Sequence, residues 1–142
     1  MSFESDLFTW LLADTDIAAK VSTRIYPLVK PQDGALPCLR VSLTANESEI
    51  HLGGPAGFAT DDIQIDCYAN TFPETVAIAE VVRKSLIGTN NGFRTMGTTR
   101  LTQVRLTSKS DEPPFREDGG GNYQIFNRSL DFEFDYDEPI PS

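Results

Sequence analysis

The sequence predicts an α+β fold in one domain, and three observations carry that reading. Two stretches repeat apolar residues at helical spacing, three others alternate apolar and polar residues with period two, and the 142-residue length suits a single core. A chain of this size buries roughly 68% of its unfolded surface on folding, so one core suffices. Hydrophobic residues make up 39% and charged residues 23%, close to ordinary globular domains, which leaves no reason to invoke disorder or a fibrous repeat. Residues 1–142 are read as one unit, without internal repeats.

The opening is an amphipathic helix, because Phe3, Leu7, Trp10 and Leu11 fall at i, i+4, i+7 and i+8 and share one face. Asp14 is placed to cap a short second turn over residues 15–20. Arg24 to Leu28 reads as extended, since Pro27 disfavours helix at Tyr26 and β-branched or aromatic residues precede it. Pro31 to Gly34 is a loop. From Pro37 the period becomes two, with Leu39, Val41 and Leu43 on one face and Arg40, Ser42 and Thr44 on the other. Ile50 and Leu52 are expected to continue a paired strand until Gly53-Gly54-Pro55-Ala56-Gly57 breaks it. Next, Ile63, Ile65 and Cys67 alternate with Gln64, Asp66 and Tyr68, so one side packs and the other meets water or a partner.

Thr71 and Glu74 have the spacing of a capping box, with Pro73 tolerated in the first turn. The helix that follows turns Thr75, Ile78, Ala79, Val82 and Leu86 inward, places Arg83 and Lys84 at its C-terminal dipole, and ends at Gly88. Asn90-Asn91-Gly92 is a turn into Phe93 to Met96, and past Gly97 a long extended run reaches from Thr98 to Lys109. That run is expected to pair with the last strand, Tyr123 to Tyr136. There Leu130, Phe132, Phe134 and Tyr136 alternate with Ser129, Asp131, Glu133 and Asp135, which fixes the register. Between the two lies a flexible polar loop, 111–121, with Pro113-Pro114 and three consecutive glycines. Residues 137–142 form an unassigned C-terminal tail.

The net charge of −9 is uneven: residues 111–142 carry 9 acidic against 2 basic side chains and so supply 7 of the 9. Gripping phosphate needs Lys and Arg to displace counterions, so the chain is not built to wrap nucleic acid. No apolar run approaches the ~18 residues that span a bilayer, and the start from Met1 to Asp6 lacks the basic and apolar regions of a secretory signal. A cytoplasmic protein with no membrane is expected. Cys38 and Cys67 lack CxxC spacing and read as reduced, buried thiols.

Catalytic chemistry is sparse. His51 is the one histidine and has neither a nucleophile motif nor a ligand partner at helical spacing. Asp61, Asp62 and Asp66 lack the calcium-loop pattern, and Gly53 to Gly57 lacks the Lys-Ser/Thr ending of a phosphate loop. Asp131 and Glu133 are next-but-one neighbours on a strand, where a solvated or cross-strand-paired face accounts for them without a hydrolase. No catalytic residue, cofactor or metal is expected.

Several words of sequence, taken in order, carry a family likeness. They are Thr23-Arg24-Ile25-Tyr26-Pro27-Leu28, Leu36-Pro37 opening a strand, Gly54-Pro55, and Ile63-Gln64-Ile65-Asp66-Cys67-Tyr68-Ala69. The helix ending near Leu86 and the closing Arg128-Ser129-Leu130-Asp131-Phe132-Glu133-Phe134 complete the set. Over most of its length the chain resembles the tail completion, or tail terminator, proteins of long-tailed bacteriophages. The resemblance implies helices packed against a mostly antiparallel sheet and a hexameric ring that caps the tail tube, stops its polymerisation and joins the tail to the head connector. Implied partners are further copies of the chain, the tail tube protein and the head-tail connector protein. DNA passes through the ring without specific binding. The implied place is the head-tail junction of the virion, after assembly in the host cytoplasm. The 111–121 loop is more elaborate than the family pattern, which bears on partner contacts.

Two alternatives stay open: another head-tail connector or minor tail component, and a small enzyme or ligand-binding domain. Two candidate surfaces follow. Phe115 and Arg116 join an aromatic to a cation in the polar loop and are expected to anchor a neighbour or the tube. Asp131, Glu133 and Asp135 form an acidic stripe that either lines the lumen, or is an ordinary solvated face, or pairs across strands with Arg100 or Arg105.

Overall fold

The computed structural model describes residues 3–27, 36–51, 54–88, 94–96, 99–115 and 125–137. The loop expected at Pro31–Gly34, the turn at Asn90–Gly92, residues 116–121 and the tail beyond Asp137 lie outside the described residues.

Two helices open the chain, α1 over Phe3–Ala13 and α2 over Thr15–Val21. Asp14 separates them with extended backbone, and its carboxylate accepts from the N–H groups of Asp16 at 2.9 Å and Ile17 at 3.0 Å. This is the expected N-cap, satisfying two donors that a helix start leaves open. The strands β1, Ile25–Pro27, β2, Cys38–His51, and β3, Gly54–Ala69, follow. Helix α3, Phe72–Ile87, precedes β4, Arg94–Met96, β5, Thr99–Phe115, and β6, Ile125–Asp137.

The strands form one sheet in the order β1-β2-β3-β6-β5-β4, parallel only between β1 and β2. With three helices packed on it, the architecture is α+β with a mostly antiparallel sheet. The long run and the last strand pair as expected, Val104 standing opposite Phe134 and Leu106 opposite Phe132.

Three local readings need correction. The glycine-rich stretch does not break the sheet: β3 begins at Gly54, with Pro55 opposite Ile50. Pro55 is tolerated because β3 pairs with β6 only from Phe58 onward, so one side of the strand is open there among the described residues. Residues 111–115 of the expected loop belong to β5, where Asp111, Glu112 and Phe115 pair with Arg128, Asn127 and Ile125. Pro113 and Pro114 fall in the register shift between Glu112 and Phe115, where a missing N–H breaks no ladder bond. At α3, Thr71 is the N-cap residue but makes no side-chain capping bond, so the capping box does not form. The Thr75 hydroxyl instead donates to the Phe72 carbonyl at 2.6 Å.

Helix α3 ends at Gly88 as anticipated, but a ψ of −141° sets this residue apart from the left-handed cap expected there. Gly88 adopts a positive φ of 57°, and a Cβ added there would stand 2.5 Å from Arg94 Nη2. Arg94 lies so close because its Nη1 donates to the Ser85 carbonyl at 2.5 Å and its guanidinium stacks 5.0 Å from the centroid of Trp10. Trp10 Nε1 in turn donates to Ser85 Oγ at 3.0 Å, tying α1 to the C-terminal turn of α3.

The core lies between the helices and one face of the sheet. Leu7 and Leu11 of α1, Ile17 and Val21 of α2, and the α3 stripe Thr75, Ile78, Ala79, Val82 and Leu86 are buried. They pack on Leu39, Val41, Ile63, Ile65, Leu130, Phe132 and Phe134, which the register places side by side. Leu43 leaves this pattern and is 43% exposed, where a bulge between Leu43 and Ala45 bends β2.

Candidate functional site

The face of the sheet turned away from the helices is polar, and its centre is Asp66. The sequence places Asp66 and Tyr68 on the side that meets water, yet Asp66 is 0% and Tyr68 only 6% exposed. A carboxylate tolerates such burial only when paired and fully hydrogen-bonded. Asp66 accepts from Arg40 Nε at 2.8 Å and Nη2 at 2.5 Å, from Gln64 Nε2 at 3.0 Å, from Asn127 Nδ2 at 3.4 Å and from the Ser129 hydroxyl. The Arg40 guanidinium lies 5.8 Å from the centroid of Tyr68. Tyr68 joins Cys38 and Ile125 in a second apolar cluster, with Tyr26 and Leu36 packed against it. The signal in the sequence was Arg40 and Asp66, each a charged residue within an alternating strand.

Beside this knot runs the acidic stripe. Asp131, Glu133 and Asp135 are half-buried on the same outer face, as the alternation of β6 requires. Their neighbours on β3 are Gln64, Asp62 and Thr60, and on β5 Ser108, Arg105 and Gln103. Arg105 forms an ion pair with Glu133 and stands 3.8 Å from Asp135, which also accepts from Thr60 Oγ1 at 2.8 Å. Of the arginines expected to pair with the stripe, Arg105 does so. Asp62 stands directly across from Glu133, so two carboxylates share one cross-strand position.

Phe115 closes β5 opposite Ile125, while Arg116 lies outside the described residues. His51 sits at the tip of the β2–β3 hairpin opposite Gly54. Asp61 and Asp66 fall on opposite faces of β3: Asp61 accepts from the Tyr136 hydroxyl at 3.1 Å on the helix side. Among the described residues, no three His, Cys, Asp or Glu side chains gather in a way that could hold a metal.

On the helix side, a shallow cavity of about 60 Å³ between α3 and the strands is lined by Val76, Glu80, Arg83, Lys109, Arg128 and Leu130, among others. Arg128 donates to both carboxylate oxygens of Asp111, at 2.7 and 3.0 Å, and lies 5.4 Å from the centroid of Phe72. The hydrogen bonds from Arg128 hold the Asp111 carboxyl below its ordinary range. Both cysteines are buried thiols outside any disulfide, and burial, with Asp66 as a lesser cause, pushes the Cys67 thiol far above its usual range. No helix among the described residues is long and apolar enough to cross a membrane.

No protein-family model matches the chain, and no curated protein matches it by sequence. By fold it is similar to a chain in the virion of a native gene transfer agent particle, with a TM-score of 0.67 and 21% identity. The superposition covers 96% of this chain and 95% of that one. The likeness is one of fold, over nearly the whole of both chains.

Proposed function

We infer that the chain is a structural virion protein: a subunit of a six-fold ring that ends tail-tube polymerisation and joins the tail to the head connector. The observation that carries this reading is the end-to-end likeness to a virion chain, 96% and 95% covered. The resemblance of the ordered sequence words to tail completion proteins points the same way. A second reading, another connector or minor tail component, draws on the same virion likeness and differs only in position along the particle.

In the ring reading, the outer face of the sheet turns to the lumen. Asp62, Asp131, Glu133 and Asp135 then present carboxylates to passing DNA, with Arg105 as the cation among them. Phosphate is repelled from such a wall, so DNA slides rather than sticks. Phe115 and Arg116 are the anchors proposed for the tail tube or a neighbouring subunit. Deleting the gene tests the role: tubes of uncontrolled length without heads are expected. Tails of normal length joined to heads overturn it.

A further inference from the structure

The cavity between α3 and the strands joins an aliphatic lining to an excess of cations. Val76 and Ala79 of α3, Leu106 of β5 and Leu130 of β6 supply the apolar surface. Arg83, Lys109 and Arg128 line the same space, with Glu80 among them. At about 60 Å³ it has room for a few waters or for one aliphatic side chain.

The charges around it do not cancel. Arg83 forms an ion pair with Glu80, and Arg128 with Asp111. Lys109 has no ion-pair partner among the described residues. Its charge nonetheless reaches both carboxylates, which are lowered first by the hydrogen bonds from Arg83 and from Arg128. Three cations thus stand against two carboxylates, on a chain whose net charge is −9. A net charge of that size drives copies apart, so a local excess of cations beside apolar surface favours an acidic segment that carries an aliphatic residue. Residues 137–142 have that chemistry: Asp137-Glu138-Pro139-Ile140-Pro141-Ser142 sets one aliphatic side chain after two carboxylates, with no cation among them.

We propose that residues 137–142 of one copy seat in this cavity of another, Ile140 against the aliphatic lining and the two carboxylates toward Arg83, Lys109 and Arg128. Reach rules out the chain's own cavity. Asp137 is fixed in the ladder opposite Arg100, while Lys109 stands opposite Leu130, seven residues back along β6, and Arg128 lies nine residues back. At a strand rise of ~3.3 Å per residue these cations are about 23–30 Å away. Asp137 to Ile140 spans at most about 11 Å, so Ile140 comes from a neighbour. Pro139 and Pro141 restrict the backbone before binding, which lowers the ordering cost. Segment and cavity are different surfaces, so the contact is heterologous, of the kind that builds rings or filaments. It does not depend on where the particle places the chain, and its failure leaves the ring reading untouched.

The test is a titration of a synthetic peptide of residues 136–142 into the full chain carrying Ile140→Ser, followed by NMR of the Val and Leu methyl groups. Saturable shifts centred on Val76, Leu106 and Leu130 are expected. Arg83→Glu with Lys109→Glu, both at exposed side chains, should leave circular dichroism unchanged and weaken binding about fivefold or more. Wild-type affinity in that charge-reversed chain overturns the proposal. So does the absence of a saturable shift, a shift centred elsewhere, or equal binding of a peptide with the same residues in shuffled order.

Discussion

Arg40 on β2 and Asp66 on β3 stand directly opposite one another and form an ion pair in which the arginine side chain is 29% exposed and the aspartate 0%. The asymmetry sets what each removal costs. Arg40→Met strips a buried carboxylate of its counter-charge and should destabilise by about 3 kcal/mol. Asp66→Asn leaves an arginine that water can reach, so about 1–2 kcal/mol is expected. Urea unfolding of both variants measures the difference, and equal losses contradict this view of the knot.

Trp10 reports on the joint between α1 and α3. It is the sole tryptophan of the chain. Arg94→Ala removes both the ring contact and the bond to the Ser85 carbonyl. The emission maximum should shift to the red, with a stability loss of about 1–2 kcal/mol. An unchanged spectrum means that Arg94 does not shield the indole.

Asp111 and Arg128 give a pH dependence with a definite sign. The folded-state pKa of Asp111 is lowered, first by the hydrogen bonds from Arg128. Its contribution is therefore present above the unfolded-state value and is lost as pH falls through the folded one. Because the Asp111 side chain is 40% exposed, solvent screening keeps that contribution under about 1 kcal/mol. An NMR titration should find Asp111 below its ordinary range in the native chain and back within it in Arg128→Met. A midpoint unmoved by that substitution contradicts the assignment.

Both thiols should be silent in the folded protein. Cys38 and Cys67 are buried, and burial raises the Cys67 pKa, so little thiolate is available to attack a reagent. A disulfide-exchange reagent at pH 8 should label neither until denaturant is added, and both afterwards. Rapid native labelling contradicts the packing of β2 on β3.

Much of this fold was legible because local periodicity decided it. The α3 stripe from Thr75 to Leu86 and the β6 alternation from Leu130 to Tyr136 each bury one face, and no other register would do so. Asp14 and Gly88 marked helix boundaries by their own chemistry. The burial of Asp66 was not legible, because it depends on Arg40 lying directly opposite, 26 residues away. The same is true of the β3–β6 pairing, which exists only once the strand order is known. Pro113 and Pro114 suggested a loop, yet a bulge on an edge strand accommodates them. The alternation of β6 puts Asp131, Glu133 and Asp135 on one outer face, whereas the pairing with Arg105 depends on the register with β5.

The stripe should matter for passage rather than for assembly. Replacing Asp131 and Glu133 with Lys is expected to permit ring closure and correct tail length but to slow DNA ejection. The effect should grow at low salt, where screening is weak. Normal ejection at low ionic strength removes the stripe from the DNA path.

A cryo-electron-microscopy reconstruction of the intact particle tests the central claim most directly. The expected map shows six copies closed into a ring between the tail tube and the head connector, helices outward, with Asp131, Glu133 and Asp135 facing the lumen. A chain found elsewhere in the particle, or a ring with those carboxylates on its outer wall, contradicts the account.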